Sequence, residues 1–354
     1  MIKRIGSKLY GLYAAIDPLA WQRHYARKTL REKRANVSFA AIDNGTEMQI
    51  KKLWGKVDGW HQFYYTIGEK DRAHLYFPDG LFYDKIDRAL NDWRKAPIID
   101  DKNLYSLLFH DVRQPKVIGR KTGGLLMGEN YNVMDLARLK AQCEAVGGVI
   151  IKVPFGSSGG HGIKFWKKLG AESLEEVLSG FGNYIVQELV VQHEELSKLH
   201  PESLNTVRIM TMTEDDEVKI LSSIVRMGIG RSRVDNVSSG GVACGICDDG
   251  RLKNFAFDGR GVRYDRHPQG ARFEESIVPN FEECRELCKR LAPRVTRFCK
   301  LVSWDLAIAE DGHPVLIEAN LYGGELDFHQ MCNGPIFKDG VTTERMIKQY
   351  VRQR

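Results

Sequence analysis

The sequence predicts an α+β protein preceded by a mainly helical N-terminal region, and three observations predict it. At 354 residues the chain exceeds what one hydrophobic core holds, so several packed units are expected. Residues 1–97 are rich in aromatics (Trp54, Trp60, Phe63, Tyr64, Tyr65, Trp93) but poor in the alternating pattern of strands. They carry no glycine-rich βα turn, which argues against a Rossmann-type domain at the front. From Pro97 onward, short strands, glycine-containing turns and helices of ~10–15 residues alternate.

Composition narrows the function classes. With 43% apolar and 28% charged residues, the chain has the make-up of an ordinary globular protein, neither disordered nor membrane-embedded. The net charge of +6, from 52 basic and 46 acidic residues, suits an anionic ligand such as a nucleotide but does not indicate nucleic acid. Seven cysteines are present. Cys244 and Cys247 form a CxxC, and Cys284 and Cys288 lie four apart on an expected helix. No second CxxC follows at zinc-ribbon spacing, so reduced, buried thiols in a cytoplasmic protein are the expectation rather than a zinc site.

No apolar run approaches the ~20 residues needed to span a bilayer. At the N-terminus, Lys8 and Asp17 interrupt any signal-peptide core. Ile5, Leu9, Leu12, Ile16 and Leu19 form one helical stripe flanked by Arg4, Lys8, Arg23, Arg27 and Lys28. The stripe is expected to dock on the rest of the protein, with weak membrane-surface contact as the alternative. The tail from Thr342 reads as a short basic helix.

Residues 148–167 place two β-rich stretches, Val149 to Val153 and Ile163 to Trp166, around a loop holding Gly156, Ser157, Ser158, Gly159, Gly160 and Gly162. Few side chains block close approach there, so backbone N–H groups and two hydroxyls can converge on phosphate oxygens. Lys152 supplies a positive charge beside it. No GKS or GKT follows, so this is not a Walker loop, and by itself the segment reads equally as a glycine-rich hairpin without a ligand.

Residues 303–320 (SWDLAIAEDGHPVLIEAN) carry the most informative constellation. Asp311-Gly312 between two apolar runs predicts a two-residue type I′ hairpin. In that register Glu310 faces His313, Ala309 faces Pro314, Asp305 lies opposite Glu318, and Asn320 shares the face of Glu318. Opposed carboxylates repel, and a hard divalent cation with oxygen ligands relieves the conflict. The competing reading is a solvated face, with Leu306, Ile308, Val315 and Ile317 turned inward.

Taken together these elements resemble the ATP-grasp superfamily, most closely its sugar-transfer-associated branch, over about residues 100–325. The matching pieces are Asp101-Lys102, Lys152-Val-Pro with its glycine loop, and Tyr184-Ile-Val-Gln-Glu-Leu. They continue with Asn205-Thr-Val-Arg-Ile, Arg226, Asp235-Asn236 and Gly240-Gly241, and end with Asp305 and Glu318-Ala-Asn320. The resemblance implies an ATP-grasp fold: a smaller subdomain with a glycine-rich lid over 98–187 and a larger one with a metal site over 188–354. It implies that Lys102 and Lys152 hold ATP phosphates beneath the 156–162 loop. The strand ending at Gln187-Glu188-Leu189 becomes the adenine hinge, with backbone groups of Glu188 and Leu189 reading the base. Asp305, Glu318 and Asn320 become Mg²⁺ ligands, while Arg226 and Arg208 stabilise the transferring phosphoryl group. Asn236 matches a position near phosphate or metal. Where relatives place an acidic ribose ligand, the strand here begins with Asn205, and Glu194 and Glu195 lie in an insertion.

The chemistry so implied is phosphoryl transfer to a carboxylate, followed by attack of an amine. The resemblance thus implies an ADP-forming carboxylate–amine ligase acting on a glycan or envelope-polysaccharide precursor. A kinase phosphorylating a small-molecule or sugar hydroxyl is the alternative, and a non-catalytic nucleotide-binding protein the third reading. Arg231, Arg233, Arg263 and Arg266 read equally as a receiver for an anionic acceptor and as solvated surface.

Overall fold

The computed structural model describes residues 18–352, apart from Trp93, residues 156–161, Asn236, Ser238, Ser239 and Tyr322. Ile5, Leu9, Leu12 and Ile16 of the N-terminal stripe, and Gly156 to Gly160 of the loop, therefore lie outside the described residues.

Three longer helices open the described chain: α1 (Pro18–Asn36), α2 (Asn44–Trp54) and α3 (Gly59–Ile67). Asp43 caps α2 by accepting from the Thr46 N–H, and Gly55 ends it in the left-handed region at φ 79°. Asp58 and His61 form a reciprocal cap at the start of α3. Short helical turns follow as far as Leu108.

The next segment forms a five-stranded antiparallel sheet. Its strands are β1 (Val117–Thr122), β2 (Leu125–Met127), β3 (Gly148–Lys152), β4 (Ile163–Lys167) and β5 (Tyr184–Glu188), in the order β2-β1-β5-β3-β4. Helices α4 (Leu136–Val146) and α5 (Leu174–Ser179) cover it through Leu139, Cys143, Leu174 and Val177. Beyond β5 the chain crosses to a seven-stranded sheet of order β10-β9-β8-β7-β6-β11-β12. Its strands are β6 (Thr206–Glu214), β7 (Glu217–Met227), β8 (Val242–Ile246), β9 (Leu252–Asp258), β10 (Arg263–Tyr264), β11 (Leu301–Ile308) and β12 (Pro314–Asn320).

The larger sheet is covered on both faces. Helix α6 (Phe281–Val295) buries Cys284, Leu287, Cys288, Leu291 and Val295 at helical spacing against Val207, Ile209, Trp304 and Leu306. Cys284 and Cys288 are thus core positions. Cys244 is buried on β8 while Cys247 is exposed. The opposite face receives the N-terminal helices and α7 (Leu326–Asn333), which share clusters with Met210, Met212, Ile224 and Phe257. The helical N-terminal region therefore shares its core with the larger sheet. Ala96, Ile99, Tyr105, Phe109 and Val112, which the sequence assigns at or next to the smaller unit, also pack in the larger core.

The β11–β12 hairpin corrects one expectation and keeps another. Ala309 N–H donates to His313 O at 3.0 Å and Gly312 N–H to Ala309 O at 2.8 Å. Only Gly312 of the pair has positive φ, at 83°. The connection is therefore a three-residue turn with left-handed Gly312, not a type I′ turn, which needs both central residues at positive φ. That shift pairs Ile308 with Pro314 and Leu306 with Leu316, one residue off the expected register. A β-bulge between the two halves then restores it, so Asp305 still pairs with Glu318 and Ser303 with Asn320. The correction exchanges faces in between. Leu316 joins Leu306 in the core, whereas Val315 and Ile317 join Ala307 and Ala309 on the site side.

Candidate active site

Four neighbouring strands bring the charged residues into one row. Arg226 of β7 pairs with Thr206 of β6, Arg208 of β6 with Asp305 of β11, and Asp305 with Glu318 of β12. Because the side-chain period is two, these residues share a face while Val207, Ile209, Trp304 and Leu306 point into the α6 core.

Asp305 is 1% exposed, so the solvated-face reading fails. Arg208 Nε donates to its Oδ1 at 2.7 Å and Arg208 Nη2 to its Oδ2 at 2.8 Å. Arg226 Nη2 reaches Oδ2 at 2.9 Å and Asn320 Nδ2 at 3.2 Å. Burial pushes the Asp305 carboxyl up, but the Arg208 and Arg226 guanidiniums outweigh it and hold it below the usual carboxylate range. Glu325, at the start of α7, accepts from Arg208 Nη1 and lies 3.6 Å from Arg226. Asp235 accepts from Thr206 Oγ1 and lies 3.3 Å from Arg226 Nη2.

The opposed carboxylates thus have protein counter-charges. Arg208 and Arg226 serve Asp305, while Lys102 Nζ donates to Glu318 Oε1 at 2.6 Å. Relieving their repulsion does not therefore require a metal, because these three cationic side chains already do so. Among the described residues no group of three His, Cys, Asp or Glu side chains is placed to hold a metal. The oxygen donors nevertheless fit a hard dication that completes its shell with phosphate and water. Glu318 and Asn320 are half-buried rather than sealed. Asn320 spends only its Nδ2 on Ser303 O and Asp305, leaving its Oδ1 without a partner among the described residues. Glu318 Oε2 is likewise open.

The two lysines enter from the other side. Lys102 follows Asp101, whose side chain caps the short turn by accepting from the Asn103 N–H. The Lys102 N–H donates to Pro154 O at 2.9 Å, tying the turn to the end of β3. Burial alone would lower the pKa of Lys102, but Glu318 outweighs it and raises it. Lys152, at the end of β3, has no ion-pair partner among the described residues. Burial first, then the neighbouring Lys102, pull its pKa from 10.5 down to about 8. A buried lysine without a counter-ion among the described residues, next to a glycine-rich segment, is suited to an anion. Gly162 closes that loop at φ 75°, with its carbonyl accepting from the Val153 N–H at 2.9 Å.

The segment between the sheets also differs in detail from expectation. The Glu188 N–H is committed to Lys116 O at 3.0 Å and its carboxylate lies 3.2 Å from Lys116. That N–H is not available to read a base. Gln187 is buried within the sheet, its Nε2 3.5 Å from Pro115 O, and Leu189 is exposed. After Leu189 the chain reaches the larger sheet, where Glu310 N–H donates to Val191 O and His193 N–H to Ile308 O. Beside this crossing, Val190, Leu204, Ile317, Ala307 and Val315 form an apolar patch, which the bulge in β12 creates.

Asn205 is a further correction. It is fully buried, its Nδ2 donates to Leu196 O at 2.7 Å and His200 O at 2.8 Å, and its Oδ1 accepts from Ser203. It closes the 192–205 loop and keeps nothing for a nucleotide. Asn236 lies outside the described residues. Arg233 stacks on Phe165 of β4 at 3.7 Å and Arg263 pairs with Asp265 at 3.0 Å, so neither stands as an uncommitted cation. Sequence reasoning missed Glu325, Asp235 as a partner of Arg226, and Asp100, whose carboxyl burial pushes up to about 7 near Lys102 and Glu318.

Among solved structures the chain resembles the ATP-grasp ligase PsnB complexed with minimal precursor, at 16% identity and TM-score 0.40. That match covers 73% of this chain and 64% of PsnB, less than two thirds of its length. D-alanyl-alanine synthetase A from Vibrio cholerae matches at 12% identity and TM-score 0.44, covering 78% of this chain and 73% of that one. D-cycloserine synthetase DcsG matches at 14% identity and TM-score 0.42, covering 70% of each. No curated protein matches the sequence. The family described as sugar-transfer associated ATP-grasp matches residues 82–344, well over half of the sequence and including every charged residue of the site, and the chain belongs to that family.

Proposed function

We propose that the charged row of the larger sheet, with Lys102 and Lys152, binds Mg-ATP and that the protein is an ADP-forming carboxylate–amine ligase working on a glycan or envelope-polysaccharide precursor. The observation that carries this reading is Lys152: a buried cation without a counter-ion among the described residues, next to Lys102 and facing the Asp305–Glu318–Asn320 row. In this account Lys152 and Lys102 bind the triphosphate under the glycine loop. The Leu189–Val191 crossing and the Val190, Leu204 and Ile317 patch take the base. Glu318 and Asn320, beside Asp305, would hold Mg²⁺, which would supply positive charge to offset that of the phosphates.

Arg208 and Arg226 are already oriented by Asp305, Asp235 and Glu325, so they present fixed positive charge without reorganisation when a phosphoryl group passes. A substrate carboxylate oxygen attacks the γ-phosphorus, the bond to the β-phosphate bridging oxygen breaks, and ADP leaves. An amine nitrogen then attacks the acyl carbon. The C–N bond forms, the C–O bond to phosphate breaks, and the departing phosphate takes the proton. The loop excludes water that would hydrolyse the acylphosphate.

Incubation with Mg-ATP, candidate carboxylates and hydroxylamine tests the reading. A ligase releases ADP and phosphate together and yields a hydroxamate. A stable phosphorylated product without hydroxamate would instead establish the kinase alternative.

A further inference from the structure

A cavity of about 510 Å³ lies between α1, the turn after β9 and the start of α7, a size suited to a small organic ligand. It shares two walls with the arginine cluster. Asp327 and Phe328 line it two and three residues after Glu325, which accepts from Arg208. Val237 lines it two residues after Asp235, which lies 3.3 Å from Arg226. Tyr25 of α1 also lines it, and burial together with Asp327 and Glu325 raises its phenol pKa.

The wall chemistry is selective. Asp327 is 4% exposed and one of its oxygens accepts from Lys33 Nζ at 2.9 Å. Lys33 is itself fully buried, held by Gly259 O at 3.1 Å and surrounded by the Trp60, Phe63 and Phe328 rings. That arrangement fixes the Asp327 carboxylate rigidly and leaves its second oxygen without a partner among the described residues. The cations that suit a carboxylate or acylphosphate stand next door, at Arg208 and Arg226. The cavity's other charged lining groups are paired with one another, Lys28 with Glu32 and Arg260 with Asp258, so the open group in this cavity is the second Asp327 oxygen. Thr29 and Asn36 add polar contacts, and the Phe328 ring gives an aromatic wall.

We propose that this cavity is the acceptor pocket and that it takes a polyhydroxylated primary amine of hexosamine size, with the open Asp327 oxygen receiving the amine. The assignment rests on the ligase reading and names its second substrate class. It also gives the helical N-terminal region a function, since α1 supplies one wall of the pocket.

Nucleotide-free titration of the full chain with D-glucosamine, D-glucose and D-glucuronic acid tests it. Glucosamine is expected to bind saturably, with glucose roughly tenfold weaker for want of one charge-assisted hydrogen bond and glucuronic acid weaker still. Asn36→Trp, at an exposed position on the pocket rim, is expected to weaken glucosamine binding at least tenfold by filling the cavity. Asp327→Asn is expected to abolish the preference over glucose. Because Asp327→Asn also strands Lys33, Asn36→Trp decides if that variant fails to fold. Absence of saturable glucosamine binding, equal binding of glucuronic acid, or unchanged binding in Asn36→Trp overturns the proposal. A separate titration with an Mg-ATP analogue reports on the nucleotide site, so failure of one reading is distinguishable from failure of the other.

Discussion

Replacing Lys152 with Met should make the ligand-free protein more stable and the nucleotide complex weaker. The folded chain lowers the pKa of this lysine from 10.5 to about 8, chiefly by burial. At ~1.36 kcal/mol for each tenfold change in acidity, that is roughly 3 kcal/mol against the charged form. The unfolded chain holds the proton up to ~10.4 while the folded chain releases it near 8, so stability rises with pH across that window. Below pH 8 the whole cost is present. Met keeps the apolar stem without the charge, so Lys152→Met should melt up to ~6 °C higher than wild type at pH 7, at ~2 °C per kcal/mol for a chain this large. The advantage should fade as pH approaches ~10.4. Adding an Mg-ATP analogue should reverse the order, because losing a charge-assisted contact to phosphate costs ~1.5–3 kcal/mol, about 10–100-fold in affinity. Scanning calorimetry at pH 7 and pH 10, with and without analogue, reads both effects. A variant less stable than wild type at pH 7, or one with unchanged analogue affinity, refutes the reasoning.

Two further substitutions separate the charged row from its scaffold. Asp305→Asn leaves the Arg208 and Arg226 guanidiniums buried without their shared carboxylate. It should destabilise the protein by ~3–5 kcal/mol, and a melting temperature within ~1 °C of wild type would contradict that. Asn205→Ala strands the Leu196 and His200 carbonyls. It should cost roughly 2–4 kcal/mol in chemical denaturation while leaving analogue affinity unchanged, and a selective loss of affinity would restore Asn205 as a nucleotide ligand.

What could be read from the sequence was whatever depends on local pattern. The Asp305–Glu318 pairing was legible because both strands alternate around a turn signal, and it survives although the turn itself was misread. The compensating bulge was not legible, since nothing in PVLIEAN distinguishes a bulged strand from a regular one. Lys102 and Lys152 were recognisable from their family context, but the Glu318 contact of Lys102 joins residues 216 apart in the chain. The Lys33–Asp327 pair spans 294 residues and left no local signal at all. Asn205 was expected among the nucleotide ligands from its family position, whereas only the packed loop shows that its amide is spent on Leu196 and His200. The N-terminal helices were foreseen as helices. Their place on the larger sheet follows from aromatic packing, with Trp60, Phe63 and Tyr64 buried against Ile224 and Phe257.

Calorimetric titration of the wild-type chain and Glu318→Gln with a non-hydrolysable ATP analogue, each in excess Mg²⁺ and again in EDTA, tests the proposed nucleotide site most directly. The wild type should bind at a single site with affinity that collapses when the metal is removed, and Glu318→Gln should lose that metal dependence. An analogue that does not bind, or that binds equally well in EDTA, would contradict the account.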